Sequence, residues 1–276
     1  MRLESKNKIN VKGKIFGGKE LLICLPLVSK NKKDFFKDVE DIIELNPDVI
    51  EWRVDFFDVL ECRKESDLTY SMKYLRDLTK DIPVIFTCRH TSEGGFKKIS
   101  QNDRITIIDK ALEIGLADLV DVEMMIDKSF INTIKSFTSK YNKELILSYH
   151  DFKKTPAEEE IINIIKLGEN LGANISKLAV MANSYGDVLK LFNATYESKI
   201  SKVDIPIITM AMGKYGKITR VFGGHFGVDM SFASGKGISA PGQMPVENVR
   251  KVLKLMNNEM WLFYNGGKIW LTQKQN

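Results

Sequence analysis

The sequence predicts a single α/β domain, a (β/α)8 barrel of the TIM type. Eight short apolar runs alternate with longer amphipathic stretches. The runs begin roughly every 23 to 36 residues, which is room for one strand, one helix and two loops. The eight units fill about 240 of the 276 residues, close to the ~250 residues of such barrels. An open doubly wound sheet is the architectural rival. No linker or low-complexity break divides the chain, so one domain over 1–276 is expected.

The expected strands cover residues 21–28, 49–56, 83–89, 119–125, 144–152, 175–182, 206–212 and 229–234. Helical patterns lie between them at 35–46, 67–80, 103–115, 131–142, 157–172, 185–200 and, with a weaker period, 215–226. A last helix, 246–257, follows the eighth strand and ends the barrel proper, 21–257. Ahead of it, residues 7–20 place Ile9, Val11, Ile15 and Phe16 around Lys12-Gly13-Lys14, the pattern of a hairpin that closes the barrel bottom. Behind it, the tail 258–276 is apolar around Asn265-Gly266. It reads as a second hairpin or as a contact with a second copy.

The chain has 41 Lys+Arg against 36 Asp+Glu, a net charge of +5, and is 43% hydrophobic. That supports a folded core and excludes disorder as the main reading. No apolar run approaches the ~18–20 residues of a membrane span. The Lys-rich start lacks the apolar segment of a secretory signal. Basic residues are dispersed among acids, which disfavours a nucleic-acid partner. The three cysteines, Cys24, Cys62 and Cys88, are widely spaced and form no CxxC pair. Two of the three sit in apolar runs and are expected as core thiols, which fits a reducing cytoplasm.

Side chains alternate faces along a strand. Glu51, Arg53 and Asp55 share one face of the second run; Thr87 and Arg89 align in the third. Asp121 and Glu123 align in the fourth, Ser148 and His150 in the fifth, and Lys177 in the sixth. Five strands thus aim polar groups at the barrel interior. Buried charges must neutralise one another, and a polar network held in a core points to a site. Lys177 stands in an apolar strand beside Ala179. Burial and nearby cations disfavour an ammonium, and a neutral amine can attack a ketone to form an imine. His150 is the natural proton carrier. Lys177 comes early in its strand, whereas barrel sites gather at the C-terminal ends; its long side chain spans part of that gap.

Metal chemistry is the weaker reading. His90, His150 and His225 lack ligand spacing. Asp121 and Glu123 are the one pair suited to magnesium. Two glycine-containing stretches, 212–220 and 234–243, follow the seventh and eighth strands, where barrel loops often bind anions. Arg220 suits a carboxylate clamp. Gly235, Gly237 and Gly242 suit a lid. The plain alternative is a flexible loop with a solvent-facing Arg220.

Together these residues resemble the type I 3-dehydroquinate dehydratases, the Schiff-base enzymes of the shikimate pathway. The resemblance rests on Glu51-Trp-Arg-Val-Asp55, Thr87-Cys-Arg89, Asp121-Val-Glu-Met124, Leu145-Ile-Leu-Ser-Tyr-His-Asp151, Ser176-Lys-Leu-Ala-Val-Met-Ala182 and Ser239-Ala-Pro-Gly-Gln-Met-Pro245. It runs in order over about residues 15–257. It implies a cytoplasmic homodimer without cofactor or metal, converting 3-dehydroquinate to 3-dehydroshikimate by syn elimination. By this resemblance Lys177 forms the imine, His150 removes and returns the proton, and Glu93 tunes it. Glu51, Arg53 and Arg89 bind ring hydroxyls and orient the site, and Arg220 clamps the carboxylate. Ser239 and Gln243 are lid contacts; Met210 and Met212 are apolar walls. Residues alone reach only an imine-forming lyase or aldolase. A class I aldolase on a sugar phosphate and a non-catalytic anion-binding barrel stay open as alternatives.

Overall fold

A small hairpin begins the fold in this computed structural model, which describes residues 2–58, 65–235, 237, 239–257, 260–265 and 268–273. Its strands β1 (Ile9–Val11) and β2 (Lys14–Phe16) pair antiparallel, with Val11 opposite Lys14. Lys12 and Gly13 both have positive φ, +50° and +81°, the two-residue turn whose twist suits a hairpin. Eight parallel strands follow: β3 (Leu22–Leu27), β4 (Val49–Arg53), β5 (Val84–Thr87), β6 (Leu119–Glu123), β7 (Glu144–Asp151), β8 (Ile175–Met181), β9 (Ile207–Met212) and β10 (Met230–Phe232). They lie in chain order, with β10 beside β3. Each is followed in turn by its helix: α1 (Lys32–Glu44), α2 (Glu65–Thr79), α3 (Gln101–Glu113), α4 (Lys128–Tyr141), α5 (Glu158–Asn170), α6 (Tyr185–Glu197), α7 (Gly213–Phe222) and α8 (Val246–Asn257). Side-chain caps at Asn31, Ser100, Asp127 and Ser184 satisfy first-turn amides of α1, α3, α4 and α6. This is the expected (β/α)8 barrel.

Two apolar clusters divide the core. One lies between strands and helices and holds Ile50, Trp52, Val54 and Phe86. The other fills the lower barrel with Leu22, Val49, Ile85, Leu119, Ile146, Ile175 and Ile208, which stand at or near the beginnings of their strands. Val11 and Phe16 of the hairpin belong to this second cluster. Lys14 pairs with Asp48, and the Asn7 amide donates to the Asp204 carbonyl, both in loops that enter strands. The hairpin therefore seals the bottom, as expected, and leaves the opposite mouth for polar groups.

The barrel closes through Asp229. Between β9 and β10 its amide donates to the Ile207 carbonyl at 2.9 Å, and its Oδ2 accepts from the Ile207 amide at 2.7 Å. The side chain thus supplies a ladder bond where the short β10 has none. Lys199 (2.6 Å) and Arg2 neutralise the fully buried carboxylate. Asp229→Ala would leave both cations without a carboxylate, Lys199 keeping only the Ser5 hydroxyl and Arg2 the Gly18 and Val228 carbonyls. We expect a loss of about 3–5 kcal/mol, seen as a fall in urea midpoint. Activity per folded molecule should be unchanged, because the mouth is at the other end.

Three expectations need correction. The second run ends as a strand at Arg53; Val54–Phe56 form a 3₁₀ turn, so Asp55 leaves the strand alternation. The eighth strand is shorter, ending at Phe232. The helical stretch expected at 215–226 begins two residues earlier as α7 (Gly213–Phe222) and continues as a 3₁₀ turn, Gly223–Phe226, which overturns the flexible-loop alternative. A Cβ on Gly216 would lie 2.2 Å from the Ala211 carbonyl oxygen. That glycine serves close packing of α7 on β9. In the tail, β11 (Met260–Asn265) and β12 (Lys268–Gln273) pair antiparallel, with Asn265 opposite Lys268, so the hairpin reading holds. Cys24 and Cys88 are buried and unpaired; Cys62, Gly266 and Gly267 lie outside the described residues.

Candidate active site

The upper interior is polar because the same alternation that buries apolar residues below continues upward. Register decides who meets whom. Lys177 lies opposite Ser148, and Ser148 opposite Glu123, the last residue of β6. The stagger of the strands therefore lifts Lys177, third in β8, to the level where β6 ends. That removes the difficulty of its early position.

Lys177 is not solitary. Its Nζ donates to Asp121 Oδ2 at 2.7 Å and Glu51 Oε1 at 3.3 Å, and it stands 4.4 Å from the Phe232 ring centre. Two of the acids expected to neutralise the interior charge thus meet the amine directly, within the apolar strand setting read from sequence. Glu51 Oε1 also accepts from Thr87. Arg89 joins the group: its guanidinium reaches Asp121 (2.8 Å), Glu123 (2.9 Å) and Ser148 Oγ (2.7 Å). Ser148 in turn donates to Asp121 Oδ1. Burial pushes the Asp121 carboxyl up, but Arg89 and Lys177 outweigh it and hold the group well below the usual range. The Glu123 carboxyl is lowered in the same contest between burial and the two cations Arg89 and Arg104. The oxygens of Asp121 and Glu123 are thus engaged by protein cations and hydroxyls.

His150 stands two residues beyond Ser148. Its Nδ1 lies 2.9 Å from Glu93 Oε2, which also accepts from the His150 amide at 2.9 Å. Burial, reinforced by Arg89 and Lys177, holds the imidazole well below its ordinary value. Burial raises Glu93 to about 8, against the pull of Arg89. Because Oε2 already accepts from the His150 amide, it faces Nδ1 as an acceptor too. A neutral ring that gives its Nδ1 proton to Glu93 leaves Nε2 as a bare lone pair. The 3₁₀ turn Thr91–Glu93 places Glu93 here. The following chain folds so tightly that a Cβ on Gly95 would lie 2.2 Å from the Arg89 carbonyl oxygen. Phe152 stacks near His150, with ring centres 6.4 Å apart.

Arg220 differs from the other cations. It is 1% exposed, which overturns the solvent-facing alternative. Its Nη1 touches only Met210 Sδ (3.0 Å) and the Phe232 carbonyl (3.4 Å). Its Nε and Nη2 have no partner among the described residues. Burial lowers it to about 10. A buried guanidinium without an anion is costly, so it constitutes a ready anion site. Arg53 is held bidentately by Asp55 at 2.8 Å, beside the Gly94 carbonyl. Gln243 accepts from the Ser239 amide and donates to its hydroxyl. Their loop rests on α7 through the Gly213 amide and Pro241 carbonyl, 3.3 Å.

One pocket of about 430 Å³ collects all eleven candidates: Glu51, Arg53, Arg89, Glu93, His150, Lys177, Met210, Met212, Arg220, Ser239 and Gln243. Ala179, the inward neighbour of Lys177, also lines it, as do Phe152, Phe232 and Ala240, which were not singled out from sequence. Phe152 could have been: it continues the inward face of Ser148 and His150.

Residues 23–260 match the family model described as Type I 3-dehydroquinase. The chain belongs to this family. Among type I 3-dehydroquinase relatives, the 3-dehydroquinate dehydratase of Clostridioides difficile is 39% identical over 256 residues, 92% of this chain and 99% of the relative. That of Bacillus subtilis is 36% identical over 251 residues, 91% and 98% of the two chains. The crystal structure of the Geobacillus kaustophilus 3-dehydroquinate dehydratase superposes with a TM-score of 0.88 at 35% identity, covering 93% of this chain and 98% of that one. A Clostridium difficile type I structure, described with covalent modified comenic acid, gives 0.86 at 38%, covering 91% and 97%. The family match stops at 260, so nearly all of the β11–β12 hairpin lies beyond it.

Proposed function

We propose that the chain dehydrates 3-dehydroquinate to 3-dehydroshikimate and water through an imine on Lys177. The observation that carries this is the unpartnered, buried Arg220 lining one pocket with a buried amine and a neutral imidazole. An anionic ketone satisfies all three. The Clostridium difficile relative, described with a covalently modified acid, supports the same reading.

Lys177 must first lose its ammonium proton. Its lone pair then forms the C–N bond to the ketone carbon, and the carbinolamine loses water to give the protonated imine. His150 Nε2 takes a proton from the carbon next to the imine, and the electron pair moves into the enamine. The enamine expels the neighbouring hydroxyl, which leaves as water with the proton that His150 returns. A second water hydrolyses the imine, freeing product and lysine. Net, one water is released. Arg220 holds the carboxylate, Met210 and Met212 wall the ring, and Glu51, Arg53 and Arg89 orient hydroxyls and neighbours. Glu93 keeps the imidazole in the tautomer with a free Nε2. By the family resemblance, the enzyme serves the shikimate route to chorismate and aromatic amino acids, as a cytoplasmic homodimer. Among the described residues no helix is long and apolar enough to cross a membrane.

Adding 3-dehydroquinate should produce the conjugated-enone absorbance of 3-dehydroshikimate, with inorganic phosphate a poor competitor. Strong phosphate competition without enone formation would favour the sugar-phosphate aldolase. Tight binding without turnover would favour the binding barrel. Arg220→Ala should lower kcat/KM by the equivalent of about 2–5 kcal/mol, the loss for one partner of a buried charge pair, mostly through KM. Ser239 and Gln243 act as lid contacts that close over bound substrate and exclude water. Saturating ligand should slow amide exchange in 234–243 several-fold; equal exchange with and without ligand would mean a loop that only borders the site.

A further inference from the structure

Helix α3 buries Arg104, Ile108, Ala111 and Leu112, the i, i+4, i+7, i+8 stripe of a core-facing helix. An arginine in that stripe has to be paired. Its Nε donates to the Cys88 carbonyl at 2.9 Å and its Nη2 to Glu123 Oε2 at 2.5 Å. The guanidinium stands 4.8 Å from the Phe130 ring centre of α4. Arg104 thus reaches from the helix layer to the ends of two strands without lining the pocket.

Glu123 has two oxygens to share. Arg104 holds Oε2, while Oε1 accepts from Arg89 and the His90 amide. Arg89 gives its other nitrogen to Asp121, and Asp121 holds Lys177. We propose that Arg104 is a positioning residue for Lys177: by occupying Glu123, it leaves Arg89 free to neutralise Asp121, and so limits the negative charge that faces the amine. This rests on the imine reading of Lys177. Without Arg104, Glu123 draws Arg89 to itself and Asp121 bears more heavily on Lys177.

The amine is also faced by Glu51 of β4, His150 of β7 and the Cys24 thiol of β3. Arg53, Glu93 and Arg220 line the pocket into which it opens. None of these contacts Arg104. Removing the Arg104 charge makes the network more negative, which favours the ammonium. The reactive neutral amine should then form only at higher pH.

Cyanate carbamylates neutral amines, and peptide mass reads its reaction at Lys177 across pH without any substrate. In Arg104→Met, Lys177 should react several-fold more slowly at pH 7 than in the wild type, because the network around it is more negative. Its kcat should fall with KM little changed, and Arg104→Lys should restore most of both. A folded Arg104→Met with the wild-type cyanate profile overturns the proposal. Should that variant not fold, Arg104→Met/Glu123→Gln removes both charges together. The proposal requires its profile to match wild type; a profile displaced to lower pH, the effect of losing Glu123 alone, overturns it. A wild-type enzyme that carbamylates at Lys177 but forms no imine adduct defeats the imine reading instead, and the cyanate comparison still decides whether Arg104 sets the charge at the amine.

Discussion

Lys177→Ala is expected to abolish turnover, down to the background of the uncatalysed elimination. Among the described residues of the pocket, the amine alone is placed to become the electron sink, because the other basic nitrogens there are guanidiniums and an imidazole. Removing it also leaves Asp121 and Glu51 without a shared cation, while Arg89 still holds Asp121. The fold should survive, so the inactive protein should still bind substrate through Arg220. Lys177→Arg is the sharper control. It keeps the charge between the two carboxylates and removes the nucleophile. Loss of activity in both variants, with near-native thermal unfolding, separates chemistry from stability. Residual turnover within tenfold of wild type in either one would contradict the role.

His150→Ala should lose roughly 10²–10⁴-fold in kcat, the usual range for general acid–base catalysis. It should still form imine, because Lys177 and its partners are untouched. The imidazole acts as a base only when neutral. Burial and the neighbouring cations hold its pKa well below 6.5, so the rate should stay high through neutrality and fall only as pH drops through that depressed value. Burial raises Glu93 to about 8, so its carboxylate predominates only above that pH, where it favours a proton on the ring. Glu93→Gln keeps an acceptor facing Nδ1 and should retain the acid limb. Glu93→Ala loses it and should lower kcat with KM preserved. An acid limb above pH 7 in the wild type would show that burial does not govern the ring.

Much of this site is legible in strand alternation. Glu51, Arg53, Arg89, His150 and Lys177 sit on runs whose inward and outward faces differ in polarity, so their convergence follows once the strands are recognised as parallel and closed. Asp55 is less legible. It keeps its burial only because the chain turns into a 3₁₀ helix after Arg53 and directs its carboxylate back to that guanidinium. The start of α7 is hidden by Gly213 and Gly216, which local propensity reads as loop, although Gly216 is required by the contact with Ala211. Pairing partners are the least legible. Lys177 meets Glu51 across 126 residues and Asp121 across 56, and no local pattern encodes such distances. Arg104 is partly legible as a charge in an apolar stripe, but what it holds is set by the tertiary fold. Arg220 is legible as an anion clamp after the seventh strand, but its burial is not, since that follows from α7 beginning at the very end of β9.

Borohydride reduction in the presence of 3-dehydroquinate tests the imine most directly. Reduction converts the C=N bond to a stable amine, so intact mass followed by peptide mapping locates it. The prediction is one ligand-derived adduct per chain, on Lys177, absent from Lys177→Ala and still formed by His150→Ala. Active enzyme that yields no adduct, or an adduct mapping to another lysine, would contradict it.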